Sequence, residues 1–434
     1  MPKVKVALIV QRFGEHILGG AESHCFQLAM RLSETLDWTV HVYTTTAFSY
    51  QTWSNFYPEG EERIRNVTVF RYNVTLNRWP TIFKIFNRLV SPTLAYWGRH
   101  PKKIPRIFFP VLRLIEKLWY ILQGPWCPKL IENLHHAAAN YDRFIFFTYL
   151  YYPTVFGLSA LAQKSVLVPL AHPEPPLSFT RVRHLLKSAP CILANTEVEK
   201  SLLLKKGLCE EENIIVVGCG LNEQFFTKPT DFPHVAIPGL KQPYITYLGR
   251  VSKGKGVFQL IQYFLQFILQ NKNQDLSLVL AGENDGSVNI FYHPQIKFIG
   301  YISQDDKTSL IAHAACVVNP SPRESLSLLA LEAIALQKPV LVNSRCDVLR
   351  FYARNLQTVF DFNDNAEFSE QLTRILSIRK FQEFKRQLKE SQSWVKSRYS
   401  WETILAAYQK IPAPKGTRDT MIRKTHGLYK LTES

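Results

Sequence analysis

Two successive runs of alternating strand and helix signals, separated by a proline-rich break, constrain this chain most. In the first run Val4–Gln11, Val40–Thr44, Val67–Val74, Arg143–Thr148, Ser165–Leu170, Cys191–Asn195 and Asn213–Val217 read as short apolar strands. Helical periodicity lies between them, at Ala21–Leu36, Lys129–Ala139, Pro153–Gln163 and Glu197–Lys206, and a polar loop is expected at Thr45–Asn66. Leu221–Gln242 holds Pro229, Pro233 and Pro238, lacks periodicity, and reads as a linker. The pattern then restarts with strands at Tyr244–Leu248, Leu276–Ala281, Ile296–Ile299, Cys316–Val318 and Val340–Val342. Helices are expected at Val257–Leu269, Asp305–Ala314 and Ser325–Leu336. Apolar strands alternating with helices imply an α/β protein with two parallel, helix-flanked sheets. Such sheets bind ligands at the carboxyl ends of their strands, which predicts a site in a cleft between the halves. The expected divisions are an N-terminal domain over 1–221, a linker over 222–242 and a C-terminal domain over 243–395. A polar, basic tail over 412–434 is expected to be mobile.

The 52 Lys and Arg against 35 Asp and Glu give a net charge of +17. Much of the excess lies in the segment 78–123. There Arg78, Lys84, Arg88, Arg99, Lys102, Lys103, Arg106, Arg113 and Lys117 face one acid, Glu116, and are interleaved with aromatics such as Trp79, Phe83, Tyr96, Trp97 and Trp119. Such a stretch suits anionic lipid headgroups. Nucleic acid would also satisfy the charge, but no nucleic-acid module is recognisable and nucleic acid is not the expected partner. A solvated helical insertion is the plain alternative. Seven scattered cysteines without a C-x-x-C pair argue against a disulfide framework or a zinc site and fit a reducing compartment. No cleavable leader is read at Met1, and no window reaches 18 uninterrupted apolar residues, so a membrane-spanning helix is not expected.

Chemistry is suggested first by Glu324 and Glu332, eight positions apart in Asn319–Ala333. On a helix that spacing spans roughly 12 Å, comparable to the reach from ribose to sugar in a nucleotide sugar. A helix start between the two carboxylates, around Ser325, Leu326, Ser327 and Leu328, would suit a phosphate. Gly249–Gly256 follows the first strand of the second half and opens a helix; Arg250 and Lys255 are placed there to meet a diphosphate, though a solvated Gly-Lys turn has the same composition. Gly19 and Gly20, in the turn Gly19-Gly20-Ala21-Glu22, could bring backbone amides against a phosphate or a sugar. They do not form a dinucleotide fingerprint. His172 follows a strand beside prolines and is by itself better explained by a structural hydrogen bond; Glu174 nearby could orient it or bind an acceptor. Thr196 reads as the N-cap of a helix with acids in its first turn. Asp305–Asp306 and Asp361–Asp364 are explained by capping and solvation, so no metal is assigned.

Taken in order, these segments resemble glycosyltransferase family 4, whose members are retaining enzymes of GT-B fold. The resemblance covers most of the chain, from Gln11 to Glu402, and is carried by the GGAE turn, His172, the Asn195–Glu199 segment, the Arg250/Lys255 loop and the Glu324/Glu332 pair. Thr44–Ala47, Tyr50, Trp53 and Phe147–Thr154 resemble a bacterial subgroup. Gly220-Leu221-Asn222 departs from the Gly-Val-Asp of many members, and no role is placed there. The resemblance implies two Rossmann-like domains facing across a cleft, with a terminal helix over 396–411 crossing back to the first domain. It also implies transfer of a sugar, with retention, from a UDP- or GDP-sugar donor to a glycan or lipid-linked acceptor, as in cell-surface polysaccharide synthesis. Arg250, Lys255, Glu324 and His172 would then be catalytic. Gly19, Gly20, Ser325, Leu326, Ser327, Leu328 and Glu332 would bind substrate. No cofactor is implied, and the expected location is cytoplasmic, peripheral on the inner face of the plasma membrane. A nucleotide-sugar epimerase, a glycogen-synthase-like polymerase and a non-catalytic lipid or nucleic-acid binder are the competing readings.

Overall fold

A computed structural model of the chain describes residues 3–17, 19–227, 229, 237, 240, 242–271 and 275–411. It divides into two compact units. Of the described residues, those up to 194, with 200–217 and 407–411, form the first; those within 195–199 and 218–406 form the second. The expected tail over 412–434 and most of 228–241 within the expected linker lie outside the described residues.

The first unit is built on an eight-stranded sheet: β1 (Lys5–Ile9), β2 (Thr39–Thr45), β3 (Gly60–Ile64), β4 (Val67–Tyr72), β5 (Arg143–Phe147), β6 (Ser165–Val168), β7 (Cys191–Ala194) and β8 (Ile214–Val216). Its order is β3-β4-β2-β1-β5-β6-β7-β8. All pairings are parallel except β3 with β4, so the sheet is not purely parallel as expected. β3 lies inside the expected loop Thr45–Asn66. Its Gly60-Glu61-Glu62-Arg63-Ile64 carries no buried residue because it pairs only at the sheet edge. β1 and β5, by contrast, are apolar and buried on both faces beneath helices. The helices are α1 (Gly20–Thr35), α2 (Pro80–Arg99), α3 (Phe109–Gln123), α4 (Pro128–His136), α5 (Tyr152–Ala160), α6 (Thr180–Ser188) and α7 (Glu197–Lys205).

The second unit has a wholly parallel sheet of β9 (Tyr244–Leu248), β10 (Ser277–Ala281), β11 (Ile296–Phe298), β12 (Cys316–Asn319), β13 (Val340–Asn343) and β14 (Val359–Phe362), ordered β11-β10-β9-β12-β13-β14. Around it run α8 (Val257–Asn271), α9 (Gln304–His313), α10 (Leu328–Ala335), α11 (Asp347–Asn355), α12 (Asn365–Ile378) and α13 (Gln382–Tyr399); α14 (Trp401–Lys410) begins in this unit and ends in the first. Two buried apolar clusters, one including Ala330, Leu331 and Tyr352 and the other Phe264, Leu278 and Phe368, fill this unit.

Both sheets change direction once. β1 leads outward through β2 to β4 on one side, while β5 to β8 build the other; β9 leads to β10 and β11, while β12 to β14 build the other. Loops leaving neighbouring strands diverge at such a switch point and open a crevice at the carboxyl edge. The β1/β5 and β9/β12 edges are therefore where fold geometry alone places a ligand.

Ser303 caps α9, its Oγ accepting from Asp306 N, and Asp364 caps α12; Asp361 lies in β14. Thr196 caps α7, accepting from Glu199 N at 3.1 Å, while Glu199 accepts from Asn195 N at 2.7 Å: a reciprocal capping box. The last described residues belong to the first unit, where Tyr408 is buried and the Arg143 guanidinium donates to the carbonyl of Ile411.

Candidate functional site

In the second unit the loop after β9 and the loop after β12 meet. Gly256 ends a single tight turn, Lys253–Lys255, capped by Ser252, and has φ of 74°. A Cβ there would lie 2.2 Å from the carbonyl oxygen of Pro320, so only glycine lets the two loops pass at this distance. The Asn343 amide holds the same carbonyl at 2.9 Å. The contact brings Lys255 Nζ to 2.8 Å from Glu324 Oε1, with the Lys255 side chain 35% exposed and that of Glu324 18%. The cation is thus held in place at the crevice rather than left to sample rotamers. Arg250 lies in the same loop, its carbonyl accepting from the buried Tyr247 hydroxyl at 2.9 Å.

The Glu324–Glu332 spacing does not run along one helix. α10 starts at Leu328, not at Ser325 as expected, so the 12 Å helical span does not apply. Ser327 has φ of 63° and caps the helix, its Oγ accepting from Ala330 N at 3.4 Å and from the Asn319 amide at 2.8 Å. A non-glycine residue in this region is uncommon and persists where the surroundings fix it. Ser325, Leu326 and Ser327 therefore form the turn into α10, and the Leu326 carbonyl is tied by the buried Tyr352 hydroxyl at 2.8 Å. Thr196 donates to the Ser325 carbonyl at 3.2 Å.

Glu332 faces inward, its side chain 6% exposed. Lys307 Nζ donates to its Oε1 at 2.5 Å, while Oε2 is buried without a hydrogen-bond partner. Lys307 also lies over the Phe225 ring, 5.5 Å from its centroid. Sequence reasoning missed Lys307. The available signal was the cost of burying a lone carboxylate, which demands a cation from elsewhere in the unit.

In the first unit, Gly19 and Gly20 begin α1 at the carboxyl edge of β1. Glu22, in the first turn, is buried against Arg12, which donates to Glu22 Oε1 through Nε at 2.9 Å and through its terminal nitrogen at 2.6 Å. Arg12 also donates to the Phe48 carbonyl at 2.6 Å, so the turn is braced by a buried ion pair the sequence reading did not assign. His172 follows β6, two strands from β1 in the same sheet. Its Nδ1 lies 3.9 Å from Glu174 Oε2, while Glu174 Oε1 accepts from the Tyr149 hydroxyl at 2.5 Å. Thr148 and Leu170, just beyond the neighbouring strands β5 and β6, both have positive φ, 61° and 53°. Strain thus collects on the edge that carries His172.

The candidate residues fall into two groups. Arg250, Lys255, Glu324, Ser325–Leu328 and Glu332 gather around β9 and β12 in the second unit. Gly19, Gly20 and His172 share one edge of the first sheet. Among the described residues no group of three or more His, Cys, Asp or Glu could hold a metal ion, and all seven cysteines are free.

Residues 231–393 match the family model described as Glycosyl transferases group 1. The capsular polysaccharide biosynthesis glycosyltransferase CapM of Staphylococcus aureus is 26% identical over 165 residues, covering 35% of this chain and 43% of CapM. The aligned segments span less than half the length of the curated relatives. Among solved structures, a sucrose-phosphate synthase of Thermosynechococcus elongatus superposes with a TM-score of 0.66 at 18% identity, over 94% of this chain and 98% of that one. Anabaena Alr3699/HepE in complex with UDP and glucose gives 0.60 at 16% identity, with the same coverage. The fold is accordingly GT-B, two α/β units on largely parallel sheets, and the unit that holds Lys255 and Glu324 is the one whose sequence is similar to glycosyl transferases group 1.

Proposed function

We propose that this protein is a retaining glycosyltransferase that moves a sugar from a UDP- or GDP-sugar to a glycan or lipid-linked acceptor, in cell-surface polysaccharide synthesis at the cytoplasmic face of a membrane. The observation that carries the reading is the Lys255–Glu324 contact at the β9/β12 switch point, beside Arg250 and the α10 start. A diphosphate is recognised there by a cation, a guanidinium and helix amides together. The UDP and glucose bound by Alr3699/HepE and the polysaccharide role in the name of CapM favour the same donor and acceptor classes.

In this reading Lys255 and Arg250 stabilise the departing diphosphate, with the amides near Ser325–Leu328; Gly19 and Gly20 bind substrate. Glu324 holds sugar hydroxyls, Glu332 the ribose, and His172 lies by the reacting centre. The acceptor hydroxyl attacks from the face that the diphosphate leaves, and its proton goes to the leaving phosphate oxygen; no side-chain nucleophile and no cofactor is required. Losing one such donor lowers turnover by about 10²–10³. Purified protein is screened for thermal stabilisation by UDP, GDP and their sugars, and the anomeric configuration of the product is read by NMR. Lys255→Ala is expected to reduce turnover far more than donor binding. Unchanged turnover, or an inverted product, would refute the proposal.

A further inference from the structure

We propose that α2 and α3 of the first unit form a docking surface for an anionic membrane, lying in the headgroup layer with their outer faces down. The two helices are locked to each other and to the unit from the inside. Trp119 donates to the Asn87 amide oxygen at 2.8 Å, and its ring meets Phe83 edge-on at 5.6 Å. A Cβ on Gly98 would lie 1.7 Å from the carbonyl oxygen of Ser178, so α2 is seated directly on the backbone beneath it. With the inner faces occupied, the outer faces should be polar if water were their only neighbour. They are not.

On α2, Ile82, Ile85, Leu89 and Tyr96 are exposed and fall within an arc of about 60° at ~100° per residue, opposite the buried Leu94, Ala95 and Gly98. On α3 and the turn before it, Ile107, Val111, Leu114 and Leu118 form a second such arc opposite the buried Leu112, Glu116 and Trp119. Leu89 is 71% exposed, Ile107 80% and Leu114 67%. Contiguous apolar exposure on this scale marks an interaction site.

Charge selects the partner. Arg88 and Arg99 flank the first stripe; Arg106, Arg113 and Lys117 flank the second; Lys84 lies farther round α2, and Lys102 and Lys103 lie between the helices. All eight are exposed. The one carboxylate of the segment, Glu116, is buried and accepts from Arg181 N at 2.8 Å and from the Thr180 hydroxyl, so it does not offset them. A second copy of the same face would meet like charge with like. Nucleic acid would neutralise the cations and leave the leucines and isoleucines in water. An anionic bilayer interface takes both, with cations at the phosphates and aliphatic side chains at the acyl boundary. Among the described residues no helix is long and apolar enough to cross a membrane, which fits docking on the surface rather than spanning. The inference stands independently of the transfer reaction.

Full-length protein is co-sedimented with vesicles of phosphatidylcholine alone and of phosphatidylcholine with an equal part of phosphatidylglycerol. Binding is expected only to the anionic vesicles and weakens in high salt. Arg88→Gln/Arg113→Gln/Lys117→Gln is expected to lower partitioning about fivefold per charge, roughly a hundredfold together. Leu89→Ser/Leu114→Ser leaves every charge in place and is expected to lower it by about tenfold or more. Both sets lie at exposed positions, and a thermal melt checks that each variant folds. Undiminished binding by the serine variant would overturn the proposal. So would a dimer in sedimentation velocity that Leu89→Ser dissolves, or RNA binding that the glutamine variant loses and the serine variant keeps.

Discussion

Removing Lys307 while leaving Glu332 in place isolates the electrostatic logic of the second unit. Glu332 is buried on α10 beside the apolar Ala330, Leu331 and Ala333, with one oxygen on Lys307 and the other covered. Lys307→Met leaves that carboxylate buried without its cation. Removing one partner of a buried pair typically costs about 3–5 kcal/mol. Lys307 is a quarter exposed, so water can partly replace it and the lower end, about 3 kcal/mol, is expected. For a unit of this size, that corresponds to a fall of roughly 6–12 °C in Tm. Lys307→Met/Glu332→Met removes both charges and is expected to return within about 1 kcal/mol of the parent, because two well-packed apolar side chains need no desolvation of ions. Urea unfolding of the parent, both single variants and the double variant closes the cycle. The same proteins, titrated with UDP and followed by Tm, separate the two roles of Glu332: the double variant regains stability but is expected to lose nucleotide stabilisation. A Lys307→Met cost below about 0.5 kcal/mol, or a double variant no better than the single one, would refute the argument.

Three further outcomes are expected. Gly256→Ala forces a Cβ against the Pro320 carbonyl at positive φ and should cost about 1–3 kcal/mol and abolish nucleotide stabilisation, as read by thermal melts with and without UDP. Ser327→Ala removes the cap of α10 and the partner of Asn319, and should cost about 1 kcal/mol in urea unfolding; no change would mean the amides of α10 find another partner. His24 is buried with neither ring nitrogen hydrogen-bonded, edge-on to Phe147, and burial pushes its pKa down from 6.5 to about 4. Between those values the unfolded chain binds the extra proton, so stability should decline as pH falls from 6.5 towards 4, by about 3 kcal/mol at most from this group. His41, lowered to about 4 by burial and by Lys5, adds to the slope, and His24→Leu should flatten but not abolish it in unfolding curves at pH 7, 6 and 5.

The second sheet was legible because its central strands β9, β10 and β12 are buried throughout and read as mainly apolar runs; Tyr244–Leu248 is extended over the residues expected. Strand β3 was not, because an edge strand of Glu61, Glu62 and Arg63 carries the composition of a loop and owes its shape to pairing with β4. β14 was given no range, and its last residues, Asp361 and Phe362, fall in the cluster that was explained by solvation. At the candidate site the cations and carboxylates were visible as residue types in order, but their partners were not. Lys307 lies 25 positions before Glu332 and Arg12 ten before Glu22, distances at which only the folded sheet decides who meets whom. The start of α10 was placed three residues early because Ser325-Leu326-Ser327 has a helix-compatible composition; the left-handed backbone at Ser327 comes from its neighbours, Asn319 and Ala330.

The first unit takes its last described segment, from Ala407, out of the far end of the chain, and the second unit reaches back for residues 195–199. Neither is a continuous stretch of polypeptide. During synthesis Arg143 lacks its carbonyl partner at Ile411 until the whole second unit has been translated. A gene cut at the proline-rich segment would therefore deliver two unfinished halves rather than two independent proteins.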